Sequence, residues 1–384
     1  MRRKICVVIT ARPSYSRIRT ALTAISEHPA LELQMVVAAS ALLKKFGNTI
    51  DYIQQDGFKI DAEVQSVVDG ENLLASAKTV GLGTLELSSV FERLKPDVVV
   101  TIADRFETIS TAICAALMNI PLAHIQGGEI SGNIDDKIRH AITKLADIHL
   151  VSNDEARQRV IQLGECPEKV YNTGCPSIDI AALICDESLL GFEPASIYAG
   201  VGRKLKPDGE YLVVLQHPVT TEYPESQQQI EVTLNVVKRL GIPAFWFWPN
   251  ADAGSDGVAK AIRSFRETND ALTAHFLRNL DGADFLKLLR KSACLIGNSS
   301  AGIRECAYLG VPAVNIGSRQ NGRKRADNVI DVGYMADAIF EAVKTQLKHG
   351  HYVSSDIYGT GNSGKKVAEI LAHADLKYTK RLTF

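Results

Sequence analysis

Three carboxylates, an amide and two imidazoles fall within seventeen residues of this chain. His124, Gln126, Glu129, Asp135, Asp136 and His140 surround a loop that also carries Gly127, Gly128 and Gly132. A carboxylate cluster shielded from water can hold a raised pKa and act as a general base. Asp136 and His140 are four residues apart, hence on one face of a helix. A purely structural role, with Asp135 capping that helix and Arg139 pairing, covers some of these residues but not their density. Asp104 and Arg105 follow the apolar run Asp97–Ile102, at the end of a strand where parallel sheets place their ligand contacts. The bland alternative there is a helix cap beside a surface arginine. His217, in Gln216-His217-Pro218, follows the run Tyr211–Leu215. Histidine titrates near neutrality and can donate a proton to a leaving oxygen, although a lone loop histidine is more often inert.

A second set of residues suits anions. Cys294-Leu295-Ile296 runs into Gly297-Asn298-Ser299-Ser300-Ala301-Gly302, and a helix is expected to begin at once. Ser and Asn cap such helices, glycine admits a ligand to the backbone, and a helix start offers unpaired N–H groups to a diphosphate. Glu305 lies about one turn in, where a carboxylate suits two ribose hydroxyls; a well-capped helix with a first-turn acid is the competing explanation. Arg12 and Ser16 sit at another strand-to-helix turn, where a guanidinium matches phosphate oxygens and Pro13 equally marks an ordinary helix start. Asn250, in Trp248-Pro249-Asn250-Ala251-Asp252, and Arg319, in Gly317-Ser318-Arg319-Gln320, follow later strands. Gly81-Leu82-Gly83 follows no strand and lacks a third glycine, so no nicotinamide dinucleotide is expected.

Short apolar runs alternating with helical patterns would position these residues, which is the pattern of βαβ units on a parallel sheet. The expected strands are Lys4–Ile9, Glu32–Ala38, Asp97–Ile102, Leu122–Ile125 and Ile148–Val151, then Tyr211–Leu215, Ala244–Trp248, His275–Leu280, Cys294–Ile296 and Ala313–Ile316. Helices are expected at Ile18–Ser26, Leu85–Leu94, Phe106–Met118, Glu225–Leu240, Ala283–Leu289, Gly302–Leu309 and Tyr334–Leu347. Glu193–Glu210, with three glycines and two prolines, is the linker candidate. The fold class expected is α/β, two Rossmann-like domains with a cleft between them. They span 1–190 and 205–364, and a final helix in 365–384 packs back on the first.

Bulk properties narrow the function. A chain of 384 residues exceeds one ordinary core. Its formal net charge of -1 gives no reason to expect nucleic acid or an anionic membrane as partner. Seven dispersed cysteines without a C-x-x-C pair read as free thiols in a reducing compartment, with no zinc spacing. The apolar run after Met1-Arg2-Arg3-Lys4 is too short for a signal core. A cytoplasmic enzyme without metal or cofactor is expected.

With these segments in place, the sequence resembles the UDP-N-acetylglucosamine 2-epimerase family, most of all its hydrolysing branch, which makes mannosamine-type sugars for sialic and legionaminic acid synthesis. The resemblance rests on Ala11-Arg12, Asp104-Arg105-Phe106, His124-Ile125-Gln126-Gly127-Gly128-Glu129, Asp136, Arg139-His140-Ala141-Ile142-Thr143-Lys144, Gly174-Cys175-Pro176-Ser177, His217-Pro218, Asn250-Ala251-Asp252-Ala253-Gly254-Ser255, Ile296-Gly297-Asn298-Ser299-Ser300 and Gly317-Ser318-Arg319-Gln320, in order along the chain. It implies a glycosyltransferase-B type fold and a homodimer or homotetramer. It implies nucleotide contacts from Arg12, Ser16, Arg105, Asn250, Ser299, Ser300, Glu305 and Arg319, and catalysis by Asp104, Gln126, Glu129, Asp136 and His217. The implied substrate is a UDP- or GDP-linked sugar, either N-acetylglucosamine or N,N'-diacetylbacillosamine, converted through a glycal to the free 2-epimer. One departure stands out: family members commonly carry glutamate where this chain has Gln126, and an amide is no base. Either Glu129 or Asp136 then carries that proton transfer, or the position only binds substrate; the assignment expected is Asp104 or Asp136 as base and acid, Glu129 as support, and His217 at the leaving phosphate. A non-hydrolysing epimerase, a glycosyltransferase of the same architecture and a sensor without turnover are the rival readings.

Overall fold

The computed structural model describes residues 2–43, 49–69, 73–131, 134–185, 190–249, 254–269, 273–376 and 380–383. The chain divides into two compact units. Unit 1 takes in Met1–Glu129, Ile134–Asp179 and Tyr358–Phe384, and unit 2 Ile130–Asn133 and Ile180–Ile357.

In unit 1, strands and helices alternate as β1 (Arg3–Ile9), α1 (Arg12–Glu27), β2 (Leu31–Ala38), α2 (Thr49–Gln55), β3 (Ala62–Val64), α3 (Leu73–Leu94), β4 (Val98–Ile102), α4 (Thr108–Leu117), β5 (Leu122–Ile125), α5 (Ile134–Leu145), β6 (Ile148–Val151), α6 (Asp154–Gln162), β7 (Val170–Asn172) and the first residues of α7 (Pro176–Ile184), which passes into unit 2 at Ile180. All seven strands are parallel, in the order β3-β2-β1-β4-β5-β6-β7. The central strands are apolar on both faces because helices cover both. One face packs Ile5, Val7 and Val100 against Ile18, Leu22 and Ile25 of α1, and the other packs Val8 and Val99 against Leu87, Phe91 and Ile142 of α3 and α5.

Unit 2 repeats the scheme with α8 (Pro194–Ile197), β8 (Gly200–Gly202), β9 (Leu212–Leu215), α9 (Ser226–Leu240), β10 (Ala244–Phe247), α10 (Ser255–Thr268), β11 (Ala274–Leu277), α11 (Gly282–Lys291), β12 (Cys294–Gly297), α12 (Glu305–Leu309), β13 (Ala313–Ile316), β14 (Val329–Val332) and α13 (Ala336–His349). The order is β14-β13-β12-β9-β10-β11-β8, parallel except for β8 at the edge. The Glu193–Glu210 stretch is therefore no free linker. Its glycines build that edge strand, and the Tyr198 hydroxyl donates to Asp284 at 2.6 Å. The last helix, α14 (Ser363–His373), returns to unit 1 and packs on α1. Asp179 holds its start, accepting from the backbone N–H groups of Ser363 at 2.8 Å and Gly364 at 2.7 Å.

Strand order reverses beside β1 and β4 in unit 1, and beside β9 and β12 in unit 2. Ligands of open α/β sheets bind at the carboxyl ends of strands at such points. In each unit the candidate residues lie there.

Candidate functional site

Unit 1 stores backbone strain where its chemistry is concentrated. Five described residues other than glycine have positive φ, and three of them follow strand ends at this edge: Ala39 (φ 50) after β2, Ala103 (φ 64) after β4 and Gln126 (φ 65) after β5. A side chain in that region costs on the order of 1–3 kcal/mol, so the surroundings must impose it. At Ala103 they do so through His124, whose ring is fully buried. Its Nε2 lies 2.9 Å from the Ala103 carbonyl, which only accepts, so the proton sits on Nε2. Nδ1 faces the Thr143 hydroxyl at 3.2 Å. The histidine thereby fixes the peptide that presents Asp104. Gly128, at φ 74, completes the turn, since a Cβ there would overlap the Ala156 carbonyl.

Burial pushes the His124 pKa down from 6.5 to about 4. Between those values the unfolded chain takes up a proton that the folded one refuses, so stability falls as pH drops through that window. The loss amounts to ~3 kcal/mol at its full extent. His140 and His149, both lowered chiefly by burial, add in the same direction. A His124→Gln variant should give a flatter curve of urea midpoint against pH between 6.5 and 4 than the wild type; equal slopes would remove His124 from this role.

Arg139 on α5 organises the carboxylates. Its side chain is 1% exposed, and it pairs with Asp104 through Nη2 and with Asp136 through Nη1. Nη1 also donates to the Glu129 carbonyl at 2.8 Å. One guanidinium thus joins the end of β4, the loop after β5 and the first turn of α5. Asp104 and Asp136 remain 16% and 17% exposed, so each keeps a face for a ligand. With two carboxylates and one guanidinium, the group carries a formal charge of one negative. The Glu129 carboxylate is buried and accepts from the Ser152 hydroxyl at 2.5 Å.

Gln126 is 1% exposed. Its amide donates to the Cys175 thiol at 2.9 Å, and its carbonyl accepts from Arg17 at 3.3 Å. Arg105 donates from Nε to Glu107 at 2.9 Å, and Glu107 also accepts from Ser40 at 3.0 Å. Arg12 opens α1, its guanidinium carbon 5.1 Å from the centre of the Tyr52 ring. Ser16 lies a turn further on, half-buried. The sixteen-residue α1 has no side-chain cap and no acidic residue of its own in its first turn.

In unit 2 the two central strand ends are sewn together by one side chain. Asn298 accepts from the His217 N–H at 2.8 Å and donates to the His217 carbonyl at 2.8 Å. Gly297, at φ 135, permits this approach because any Cβ would overlap the Leu215 carbonyl. Arg319 and Gln320 donate to the Asn298 carbonyl at 3.3 and 2.8 Å. The expected continuous helix does not form. Ser300–Gly302 is a single 3₁₀ turn, and only the five residues of α12 follow. A macrodipole needs aligned peptides, so this segment offers an anion local N–H groups rather than a strong helix end. Ser299 spends its hydroxyl on the Ala301 N–H at 3.2 Å, and Ser300 is half-buried on the same turn. Glu305 opens α12 with Oε2 buried and without a hydrogen-bond partner among the described residues. An acceptor in that state is costly unless a ligand supplies the donor. Asn250, Gly132 and Asn133 lie outside the described residues.

Sequence reasoning counted His124 in the charged cluster and Asn298 in the anion-binding turn without an individual role, read Arg139 only as a pairing residue, and left Arg17 out. The Asp136-x-x-Arg139 spacing is that of a helical i,i+3 pair. Nothing in sequence showed that the same guanidinium reaches Asp104. No group of three His, Cys, Asp or Glu suited to a metal occurs among the described residues. No described helix is long and apolar enough to cross a membrane.

Two Rossmann-like units of this topology define a glycosyltransferase-B type fold. A Neisseria meningitidis UDP-GlcNAc 2-epimerase, solved with UDP-GlcNAc bound, shares the fold with a TM-score of 0.79 at 16% identity, over 96% of this chain and 99% of that one. The chain belongs to the UDP-N-acetylglucosamine 2-epimerase family, whose model matches residues 23–372. Similar relatives include a hydrolysing UDP-N,N'-diacetylbacillosamine 2-epimerase of Legionella pneumophila, 30% identical over 97% of this chain and 96% of the relative. A hydrolysing GDP/UDP-N,N'-diacetylbacillosamine 2-epimerase of Campylobacter jejuni is 32% identical over 86% of this chain and 84% of the relative.

Proposed function

We propose that this protein is a hydrolysing nucleotide-sugar 2-epimerase, acting on a UDP-linked 2-acetamido sugar. The observation that carries the reading is the Asp104–Arg139–Asp136 group, a net-negative acid–base pair fixed at a strained strand end. The two relatives named for N,N'-diacetylbacillosamine make that the first sugar to test.

The reaction runs in two halves. One carboxylate of the pair removes the proton from sugar carbon 2, the C1–O bond breaks, and the electron pair leaves with the diphosphate. A glycal with a C1–C2 double bond remains. Water then adds across it, hydroxyl to carbon 1 and a proton to the opposite face of carbon 2. The products are the free 2-epimer and the nucleoside diphosphate. His217, Arg319 and the N–H groups around Ser299 and Ser300 are assigned to the departing diphosphate, with Arg12 and Arg105 as further nucleotide contacts. Preorganised donors aimed at developing charge usually supply the largest share of such catalysis. Glu305 takes the ribose hydroxyls with its buried, unsatisfied oxygen, Ser16 and Asn250 complete the nucleotide contacts, and Glu129 supports the acid–base pair. Gln126 positions its neighbours and transfers no proton.

Incubation with UDP-N,N'-diacetylbacillosamine, UDP-N-acetylglucosamine and GDP-N,N'-diacetylbacillosamine, followed by proton NMR, tests this. The expected products are a free 2-epimeric sugar and UDP. Epimer that stays nucleotide-linked, or no nucleoside diphosphate from any of the three, would overturn the reading.

A further inference from the structure

Unit 1 contains a second charged cluster, at the C-terminal end of α5. Its centre is Glu165, 2% exposed. Lys144 of α5 donates to it at 2.5 Å, His149 of β6 lies 3.0 Å from it, and Lys380 donates to it at 2.6 Å. The mechanism above uses none of these groups. Lys380 arrives from more than two hundred positions away in sequence, and its side chain is 25% exposed. Its ammonium also donates to the Ala146 carbonyl and lies 3.5 Å from the Thr143 carbonyl. Both carbonyls belong to the last turn of α5 or the residue just beyond it. Lys380 is thus a C-terminal cap for that helix, favoured by the negative dipole end. Thr383 adds a backbone hydrogen bond to the Gly164 carbonyl at 3.2 Å.

The helix held in this way carries Asp136 and Arg139. A twelve-residue α-helix is a rigid rod of about 18 Å, so fixing one end limits tilt and sliding at the other. Two further ties run along it. Lys144 donates to the Leu163 carbonyl at 3.0 Å, and Thr143 meets His124, the residue that fixes Ala103. His124 and His149 stand side by side on β5 and β6, so the cluster adjoins the support of Asp104.

We propose that Lys380 is a positioning residue for the reaction: by closing the end of α5 onto Glu165, it sets the register of Asp136 and Arg139 against Asp104. The proposal rests on the epimerase reading for its kinetic consequence but not for its structural one. Burial lowers the Lys380 pKa, and its hydrogen bond to Glu165 works against that shift.

The test compares Lys380→Ala and Lys380→Arg with the wild-type chain, by kinetics and by hydrogen exchange. Lys380→Ala should lower kcat by ~10–100-fold, the scale of a displacement of about 1 Å at the reacting groups. KM for the sugar nucleotide should stay within about twofold, because the proposed phosphate and ribose contacts lie elsewhere. Exchange should rise in 134–146 while 212–240 is unchanged. Lys380→Arg, which keeps the charge and the donors, should recover most of kcat. Unchanged kcat and unchanged exchange in 134–146 would overturn the proposal. So would exchange rising throughout unit 1 with kcat and KM failing together, since that is loss of the fold. If the wild type turns over no nucleotide sugar, the functional reading fails, and the exchange pattern of 134–146 still decides whether Lys380 holds α5.

Discussion

Replacing Arg139 by methionine should lower kcat by ~10²–10³-fold, the range for catalytic groups displaced by an ångström or more. The cause is electrostatic and geometric together. Arg139 is 1% exposed and compensates both Asp104 and Asp136. Removing one partner from a buried ion pair costs about 3–5 kcal/mol, because the remaining charges lose their compensation. Here both carboxylates keep some exposure, so the lower end applies. The Glu129 carbonyl loses its donor as well, and the loop after β5 loses its tie to α5. Lysine should restore only a small part of the rate. A single ammonium on a flexible stem does not reproduce a planar fork reaching three acceptors. UDP affinity measured by calorimetry should change little in either variant. A methionine variant with near-wild-type kcat would show that Arg139 has only a structural role.

Asp104→Asn and Asp136→Asn should each lower kcat by ~10²–10⁴-fold, the contribution of a positioned acid or base. The two should fail differently. Loss of the residue that removes the carbon-2 proton blocks glycal formation. Loss of the residue that protonates the glycal lets elimination proceed, so glycal and UDP accumulate without free 2-epimer. Single-turnover quench with product analysis separates the two. If both variants keep more than about a tenth of the wild-type kcat, the pair is not the acid–base machinery.

How far the sequence foretold the fold follows from burial. Leu122–Ile125, Ile148–Val151 and Ala313–Ile316 are strands as expected, each buried along its whole length. Apolar runs of that kind form where helices cover both sheet faces. The four strands absent from the sequence reading, β3, β7, β8 and β14, are the four sheet edges. An edge strand needs no continuous apolar run, and Gly200-Val201-Gly202 is exposed throughout. Helix α3 begins at Leu73 rather than Leu85, running through Gly81 and Gly83. Glycine weakens a helix signal, but a Cβ on Gly83 would come within 2.9 Å of the Ser110 hydroxyl. Close packing on α4 outweighs propensity there.

The candidate site was legible as residue types at strand ends and less so as a circuit. Asp104, the Gln126–Glu129 loop and Asp136 stood out because carboxylates and amides are unusual after apolar strands. Their common partner Arg139 did not, because a pairing arginine on a helix is ordinary. The turn at Gly297 suggested a helix dipole, yet the chain makes one 3₁₀ turn and spends Asn298 on joining two strand ends. Side-chain closure of that kind depends on strand order, which periodicity does not reveal. Gln126 marked a departure from its family, and its meaning needed coordinates: a buried amide between Arg17 and Cys175.

The most direct test of the central claim is turnover of the sugar nucleotide in deuterium oxide, with the released sugar examined by proton NMR and mass spectrometry. Elimination followed by hydration requires that the proton at carbon 2 come from solvent, so the free 2-epimer should carry one deuterium at carbon 2. A free 2-epimer that retains the substrate's own hydrogen there would contradict the account.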